Sequence, residues 1–89
     1  PTAKLNEFLA KALGKYSPTH ATGKHVKIYY MTQVNTHPPV FLLFCNNPKL
    51  VTEGYRRYLH NRLRDEFGFA GAGIKLRFRG RDAYDPSMD

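Results

Sequence analysis

The stretch Val40-Phe41-Leu42-Leu43-Phe44-Cys45 is a continuous apolar run, with prolines before it and asparagines after it. A run this short, bounded by turn-forming residues, is typical of a buried strand rather than of a helix. We therefore expect it to be the most buried strand of the domain, and we expect the other elements to be arranged around it.

The segment before this run predicts a second strand. From His25 to Val34 apolar and polar residues alternate, as they do in a half-buried strand, and the turn residues 35–39 would let it pair antiparallel with 40–45. The predicted buried face holds Val26, Ile28 and Tyr30, and the predicted outward face holds Lys27, Tyr29, Met31 and Gln33.

Two amphipathic helices and a third strand complete the pattern. Apolar residues recur at helical spacing from a cap at Thr2 to a stop at Gly14, and again from about Thr52 to Phe67 after a short turn capped by Asn47. Between Ile74 and Arg79, apolar and basic residues alternate as in a strand. The order is helix, strand, strand, helix, strand, which predicts a small α+β domain.

Basic residues gather on two of these elements. The far side of the second helix is predicted to carry Arg56, Arg57, His60 and Arg64, and the last strand carries Lys75, Arg77 and Arg79. Arginine suits phosphate because its planar fork donates two hydrogen bonds to one group. The alternatives are an ordinary solvated face and pairing with an acidic protein surface, for which Tyr29 and Met31 would be the docking residues.

The overall charge agrees with a polyanionic partner. Fourteen Lys and Arg oppose seven Asp and Glu, and three of the acidic residues fall after residue 80. We expect a domain at 1–80 and a disordered acidic tail at 81–89. No membrane span or signal peptide is recognisable, and a single cysteine allows no internal disulfide, so we expect a soluble cytoplasmic domain with no membrane partner.

No catalytic or metal site is predicted. Gly23-Lys24 lacks the other residues of a phosphate loop, because Pro18 and His25 stand where glycine and Ser or Thr are needed. The four histidines have no recognised ligand spacing, and Cys45 ends a buried-strand pattern, which favours a structural cysteine over a nucleophile.

Several short motifs together resemble one family. They are Thr32-Gln33, then Pro38-Pro39 with Phe41, Phe44, Asn46 and Pro48; Tyr55-Arg56-Arg57-Tyr58-Leu59-His60-Asn61-Arg62-Leu63-Arg64, then Phe67-Gly68-Phe69 with Gly71; and Ile74-Lys75-Leu76-Arg77-Phe78-Arg79. In order and spacing, residues 1–79 are similar to the C-terminal KH-like domain of the Der (EngA) family of bacterial ribosome-assembly GTPases.

The resemblance implies a fold and a function. The fold would be the prokaryotic KH-like αββαβ arrangement, a three-stranded sheet with both helices packed on one face. The function would be contact with ribosomal RNA in assembly of the large (50S) subunit, or regulatory docking that senses the nucleotide state of adjacent GTPase domains. GTP and Mg²⁺ would bind those other domains, and this one would be no enzyme and hold no cofactor.

One KH feature is missing from the sequence. KH domains grip single-stranded backbone with a G-x-x-G loop between two helices, and the matching stretch 48–54 has no such motif. Gly68-Phe69-Ala70-Gly71 has the right letters but follows the long helix. We therefore expect the G-x-x-G loop to be degenerate or absent, and phosphate contact to replace base reading.

Overall fold

The computed structural model describes residues 2–18, 23, 26–68 and 73–80. Its elements are α1 (Thr2–Lys15), β1 (Ile28–Thr36), β2 (Pro39–Cys45), a single 3₁₀ turn (Pro48–Leu50), α2 (Glu53–Phe67) and β3 (Lys75–Arg79). The order predicted from the sequence is confirmed, and the chain is an α+β domain. The predicted disordered tail at 81–89 lies outside the described residues and stays a prediction.

The sheet is mixed and has β2 at its centre. Its order is β1-β2-β3, with β1 antiparallel and β3 parallel to β2. On β2 the side chains of Phe41, Leu43 and Cys45 are fully buried. They belong to the same core as Leu9 of α1 and Leu59 of α2, so both helices pack on this one face of the sheet. The expectation that 40–45 is the most buried strand is confirmed.

The predicted faces of β1 are wrong in its middle. Ile28 pairs with Cys45 and Tyr30 pairs with Phe44, so β1 advances by two residues where β2 advances by one. Such a β-bulge reverses the alternation of side chains beyond it. Met31 is therefore buried in the core at 1% exposure, whereas Tyr30 is 41% exposed on the opposite face.

Side chains from both helices tie the layers together. The Tyr58 hydroxyl donates to the carbonyl oxygen of Ala12 in the last turn of α1 at 2.8 Å, and the Tyr55 hydroxyl donates to that of Tyr16 just beyond it. The Ala12 carbonyl also accepts from the Tyr16 N–H at 3.2 Å, so both tyrosine hydroxyls bind backbone carbonyls at the C-terminal end of α1. They place α2 against the end of α1, as expected for core tyrosines with a polar tip.

The start and end of α2 follow from its local sequence. The Thr52 side chain accepts a hydrogen bond from the backbone N–H of Tyr55 at 3.1 Å, which is an N-cap. Gly68 ends the helix at a φ of 69°, a left-handed conformation that glycine adopts without steric cost, and it donates to the Arg64 carbonyl at 2.8 Å. Both ends of the helix that carries the predicted basic face are therefore fixed.

Candidate nucleic-acid interface

The basic residues singled out from the sequence lie on two different surfaces. Four of them, which we call the helix group, are on α2: Arg56, Arg57, His60 and Arg64. The other three, which we call the sheet row, are on β3: Lys75, Arg77 and Arg79. The sheet row points away from the helices, because Phe78 between its members is buried in the core.

Arg56 of the helix group is engaged within the domain. Its Nη2 donates to the Pro48 carbonyl at 2.8 Å and its Nε donates to the Val51 carbonyl at 3.2 Å. The guanidinium carbon also lies 4.4 Å from the centre of the Phe78 ring, within range of a cation–π interaction. Arg56 thus joins the 3₁₀ turn, α2 and β3, and its guanidinium is committed to structure.

His60 has a similar structural contact. Its Nε2 lies 3.2 Å from the carbonyl oxygen of Ile74, at the entrance to β3. A carbonyl can only accept, so this hydrogen bond requires a proton on Nε2. His60 is half-buried and links α2 to β3, a role that the helical periodicity alone did not indicate.

Arg57 and Arg64 are the exposed members of the helix group. Arg64 Nη2 donates to Asn61 Oδ1 at 3.2 Å. Arg57 lies on the same side of α2, one turn before Asn61 and two turns before Arg64. The exposed surface of α2 also carries the acidic residues Glu53, Asp65 and Glu66. The field on this side of the domain is therefore of mixed sign.

The sheet row presents a field of one sign. All three of its residues are exposed, and they occupy alternate positions of β3, so that a cation stands about every 7 Å along the strand. None of the three described strands contains Asp or Glu. Of the two predicted basic surfaces, the sheet row is the more uniformly positive.

Aromatic residues lie beside the sheet row on the same face. Phe44 is the partner of Tyr30 on one side and of Arg79 on the other, so the three form a line across the sheet. The Tyr30 and Phe44 rings are 6.3 Å apart between centroids and tilted by 36°. Sequence reasoning placed Tyr30 in the core and missed this pair, because nothing in the alternation signals the bulge.

The two predicted docking residues are not on one surface. Tyr29 is 44% exposed, as expected, but Met31 is buried. The bulge that brings Tyr30 outward turns Met31 inward, so the outward placement of Met31 is wrong. Only Tyr29 of this pair can meet a partner without rearrangement of the core.

The described residues hold no metal-binding group of three or more His, Cys, Asp or Glu. Two of the histidines, His20 and His25, lie outside the described residues. Burial raises the pKa of the Cys45 thiol, the nearby Arg56 charge opposing it in part, and Sγ contacts the Arg79 carbonyl at 3.4 Å. A buried, protonated thiol is a poor nucleophile, which agrees with the structural role predicted for it.

Comparison with known proteins gives a consistent family match. Residues 1–79 match the model of the KH-domain-like family of EngA bacterial GTPase enzymes, C-terminal. The chain is 46% identical over 89 residues to GTPase Der of Thermomicrobium roseum, covering all of this chain and 19% of the relative. It is 48% identical over 77 residues to GTPase Der of Chlorobium limicola, covering 86% of this chain and 18% of that protein.

The chain thus spans about a fifth of the length of the curated relatives it matches. The matching part is their C-terminal KH-like domain and not their GTPase domains, so we expect no catalytic activity from it. Among the helices of the described residues, none has the length and apolar character needed to cross a membrane.

Proposed function

This chain belongs to the family of C-terminal KH-like domains of the EngA (Der) GTPases, and from that premise we propose that it contacts ribosomal RNA during assembly of the large ribosomal subunit. In this proposal the domain is one part of a longer protein. GTP and Mg²⁺ bind to the GTPase domains of that protein, and this domain supplies contact with RNA.

The observation that carries the proposal is the sheet row. Three exposed cations stand on alternate positions of β3, and the three described strands have no acidic residue that would neutralise them. A surface of this kind attracts the phosphates of a nucleic acid and releases their counterions. Arg57 and Arg64 extend the contact on α2, where nearby carboxylates weaken it.

The contact is made mainly through phosphates in this proposal. The stretch from Pro48 to Gly54, where a KH domain would carry its G-x-x-G loop, has the 3₁₀ turn and the N-cap of α2 instead. Without that loop the domain lacks the usual KH grip on four nucleotides. Phosphate contacts fix position and give little sequence information.

The test compares two charge-reversed variants of the chain. One carries Arg77→Glu and Arg79→Glu in the sheet row, and its matched control carries Arg57→Glu and Arg64→Glu in the helix group. Binding to a ribosomal RNA fragment is measured over a range of salt concentrations. Three neutralised phosphates on a single strand give a slope of log K against log salt of about −2.

The sheet-row variant should lose most of the affinity and flatten the slope, and the helix-group variant should lose less. RNA affinity equal to wild type in both variants contradicts the proposal. In both, circular dichroism should show the wild-type fold, because all four replaced side chains are exposed.

A second candidate function is regulatory docking onto the GTPase domains of the same protein. The observation in its favour is Tyr29, a large side chain that is 44% exposed on β1. Purified GTPase domains loaded with GTP or GDP would bind the chain, and Tyr29→Ala would weaken that binding. RNA-only binding favours the first function, and nucleotide-dependent protein binding favours the second.

A further inference from the structure

We propose that the helix-free face of the sheet is a platform for single-stranded RNA, on which bases stack against Tyr30 and Phe44 while the sheet row holds the phosphates. This inference rests on the proposed RNA contact and goes beyond it by naming the form of RNA and the residues that meet its bases. It also separates the sheet face from α2, which lacks exposed aromatic residues in its middle turns.

The geometry places stacking and charged groups side by side. Residues that are partners on adjacent strands point to the same face of the sheet, so Tyr30, Phe44 and Arg79 form one line across it. Thr32, Leu42 and Arg77 form the next line. The platform therefore has an aromatic pair at one end, a partly exposed leucine in the middle, and a cation at the β3 side of each line.

Tyr30 is a large aromatic residue that lies outside the core of the domain. The bulge removes it from the core and leaves it 41% exposed, while Met31 takes the core position. A tyrosine ring in this position offers a flat apolar face next to the Phe44 ring, and Phe44 is in turn the cross-strand neighbour of Arg79. Bases stack on such rings whatever their identity, because every base has a π-face.

The same arrangement favours a single strand over a duplex. In duplex RNA the bases are stacked on each other inside the helix, and proteins meet mainly its phosphates and hydroxyls. A duplex could therefore use the sheet row but not the aromatic pair. A single strand can use both, since its bases are free to turn toward Tyr30 and Phe44 while its phosphates lie along β3.

The charge of the face supports a nucleic acid as the occupant. The described strands carry three cations, all on β3, and no carboxylate, which favours an occupant that is anionic where it lies along β3. A phosphate backbone meets that requirement at every nucleotide. A protein segment would need a carboxylate opposite each cation and an apolar group opposite the rings, and this occupant is separated from RNA by the experiment below.

The experiment uses the 89-residue chain with a short oligouridylate that carries one 2-aminopurine, and with a duplex RNA of the same length. Stacking of 2-aminopurine on an aromatic ring changes its fluorescence, so the signal reports stacking as well as binding. We expect a fluorescence change with the single strand and tighter binding of the single strand than of the duplex.

Two variants of Tyr30 and a matched control variant of Tyr16 test the stacking role directly. Tyr30→Ala should weaken single-strand binding on the order of tenfold and remove the fluorescence change, because it deletes one stacking ring. Tyr30→Phe keeps the ring and should bind within about twofold of wild type. Tyr16→Ala removes another exposed tyrosine, at 59% exposure beyond the end of α1, and should have no effect on binding.

The outcomes separate this inference from the proposed function. RNA binding that survives Tyr30→Ala, with no preference for the single strand, leaves the RNA contact standing and overturns the platform. Absence of binding to either RNA overturns both, and binding of GTPase domains through the sheet row would then assign the face to protein. Should Tyr30→Ala fail to fold, a wild-type complex without any 2-aminopurine fluorescence change is enough to overturn the platform.

Discussion

Replacing Asn6 with alanine should open one edge of the sheet. β1 is an edge strand, and the backbone of Met31 on that edge is paired with a side chain instead of another strand. Met31 N–H donates to Asn6 Oδ1 at 3.0 Å, and Asn6 Nδ2 donates to the Met31 carbonyl at 3.0 Å. The amide of Asn6 therefore imitates a neighbouring strand for one residue and fixes α1 to the sheet.

The size of the effect follows from these two bonds. Each partly buried hydrogen bond contributes about 0.5–1.5 kcal/mol net, which gives about 1–3 kcal/mol for the pair. Alanine is the better helix former by roughly 0.5 kcal/mol. We expect Asn6→Ala to lower the free energy of unfolding by about 1–2 kcal/mol, and the melting temperature by roughly 5–15 °C for a domain of this size.

Hydrogen exchange gives the residue-specific readout. In the wild type the Met31 amide should exchange slowly even though it faces away from β2, because Asn6 occupies it. In Asn6→Ala it should exchange much faster, while amides that bond to β2 keep most of their protection. Asn6→Asp should be no better than alanine, since a carboxylate can accept from Met31 N–H but repels the Met31 carbonyl.

Asn61→Ala is the matched control. Asn61 is also a helical asparagine, but it is exposed and its side chain meets only Arg64 among the described contacts. Its replacement should change stability by less than about 0.5 kcal/mol. If the Met31 amide is equally protected in Asn6→Ala and in wild type, the two hydrogen bonds of Asn6 do not hold this edge of the sheet.

Three further predictions concern the core, nucleotide binding and alkaline pH. Leu43→Ala and Leu59→Ala should each lower the free energy of unfolding by about 2–5 kcal/mol in urea melts, because both side chains are fully buried in one shared core, and wild-type midpoints would show that these faces do not form the core. Calorimetry with GTP and Mg²⁺ should show no saturable binding to the chain, since it has no phosphate loop. Burial, with a smaller contribution from Tyr58, raises the pKa of Tyr55, so the folded state prefers the neutral phenol. The contribution of Tyr55 to stability should be constant below the ordinary tyrosine pKa of about 10 and fall above it, so Tyr55→Phe should reduce the loss of stability above that pH; an unchanged slope contradicts this assignment.

Element order and the core were predictable because they depend on periodic patterns. The spacing of Leu5, Leu9 and Ala12 determines which side of α1 is buried, and the uninterrupted apolar run identifies β2 as the most buried strand. Such patterns average over many residues, so one exception does not change the result. The element order and the α+β class therefore follow from these patterns, whereas the packing of both helices on one face was implied by the family resemblance.

The placement of Tyr30 and Met31 could not be predicted because it depends on one backbone irregularity, the register shift between Ile28 and Tyr30. Alternation assigns Tyr30 to the core and Met31 to the surface, and a single bulge exchanges them. Both residues are large enough to fill the same core position, so composition does not signal the exchange. The aromatic pair of Tyr30 and Phe44 was missed for this reason.

The hydrogen bonds of individual side chains on α2 were also not predictable from the sequence. The helical periodicity places Arg56 and His60 on the polar side of α2. In the structure, Arg56 binds the Pro48 carbonyl in the 3₁₀ turn, and His60 binds the Ile74 carbonyl next to β3. Which of several neighbouring basic residues makes structural hydrogen bonds depends on the carbonyls near it, here those of Pro48 and Ile74. A linear pattern contains no information about these partners.

The position of the sheet row at an edge has a consequence for solubility. β3 is the last strand of the described sheet and has β2 on one side only, so its other side offers backbone groups that a strand from a second copy could pair with. Three charges on one short strand oppose such pairing, because two copies would bring like charges together. Neutral replacements in the row should therefore promote aggregation, whereas glutamate at all three positions would preserve the repulsion between copies.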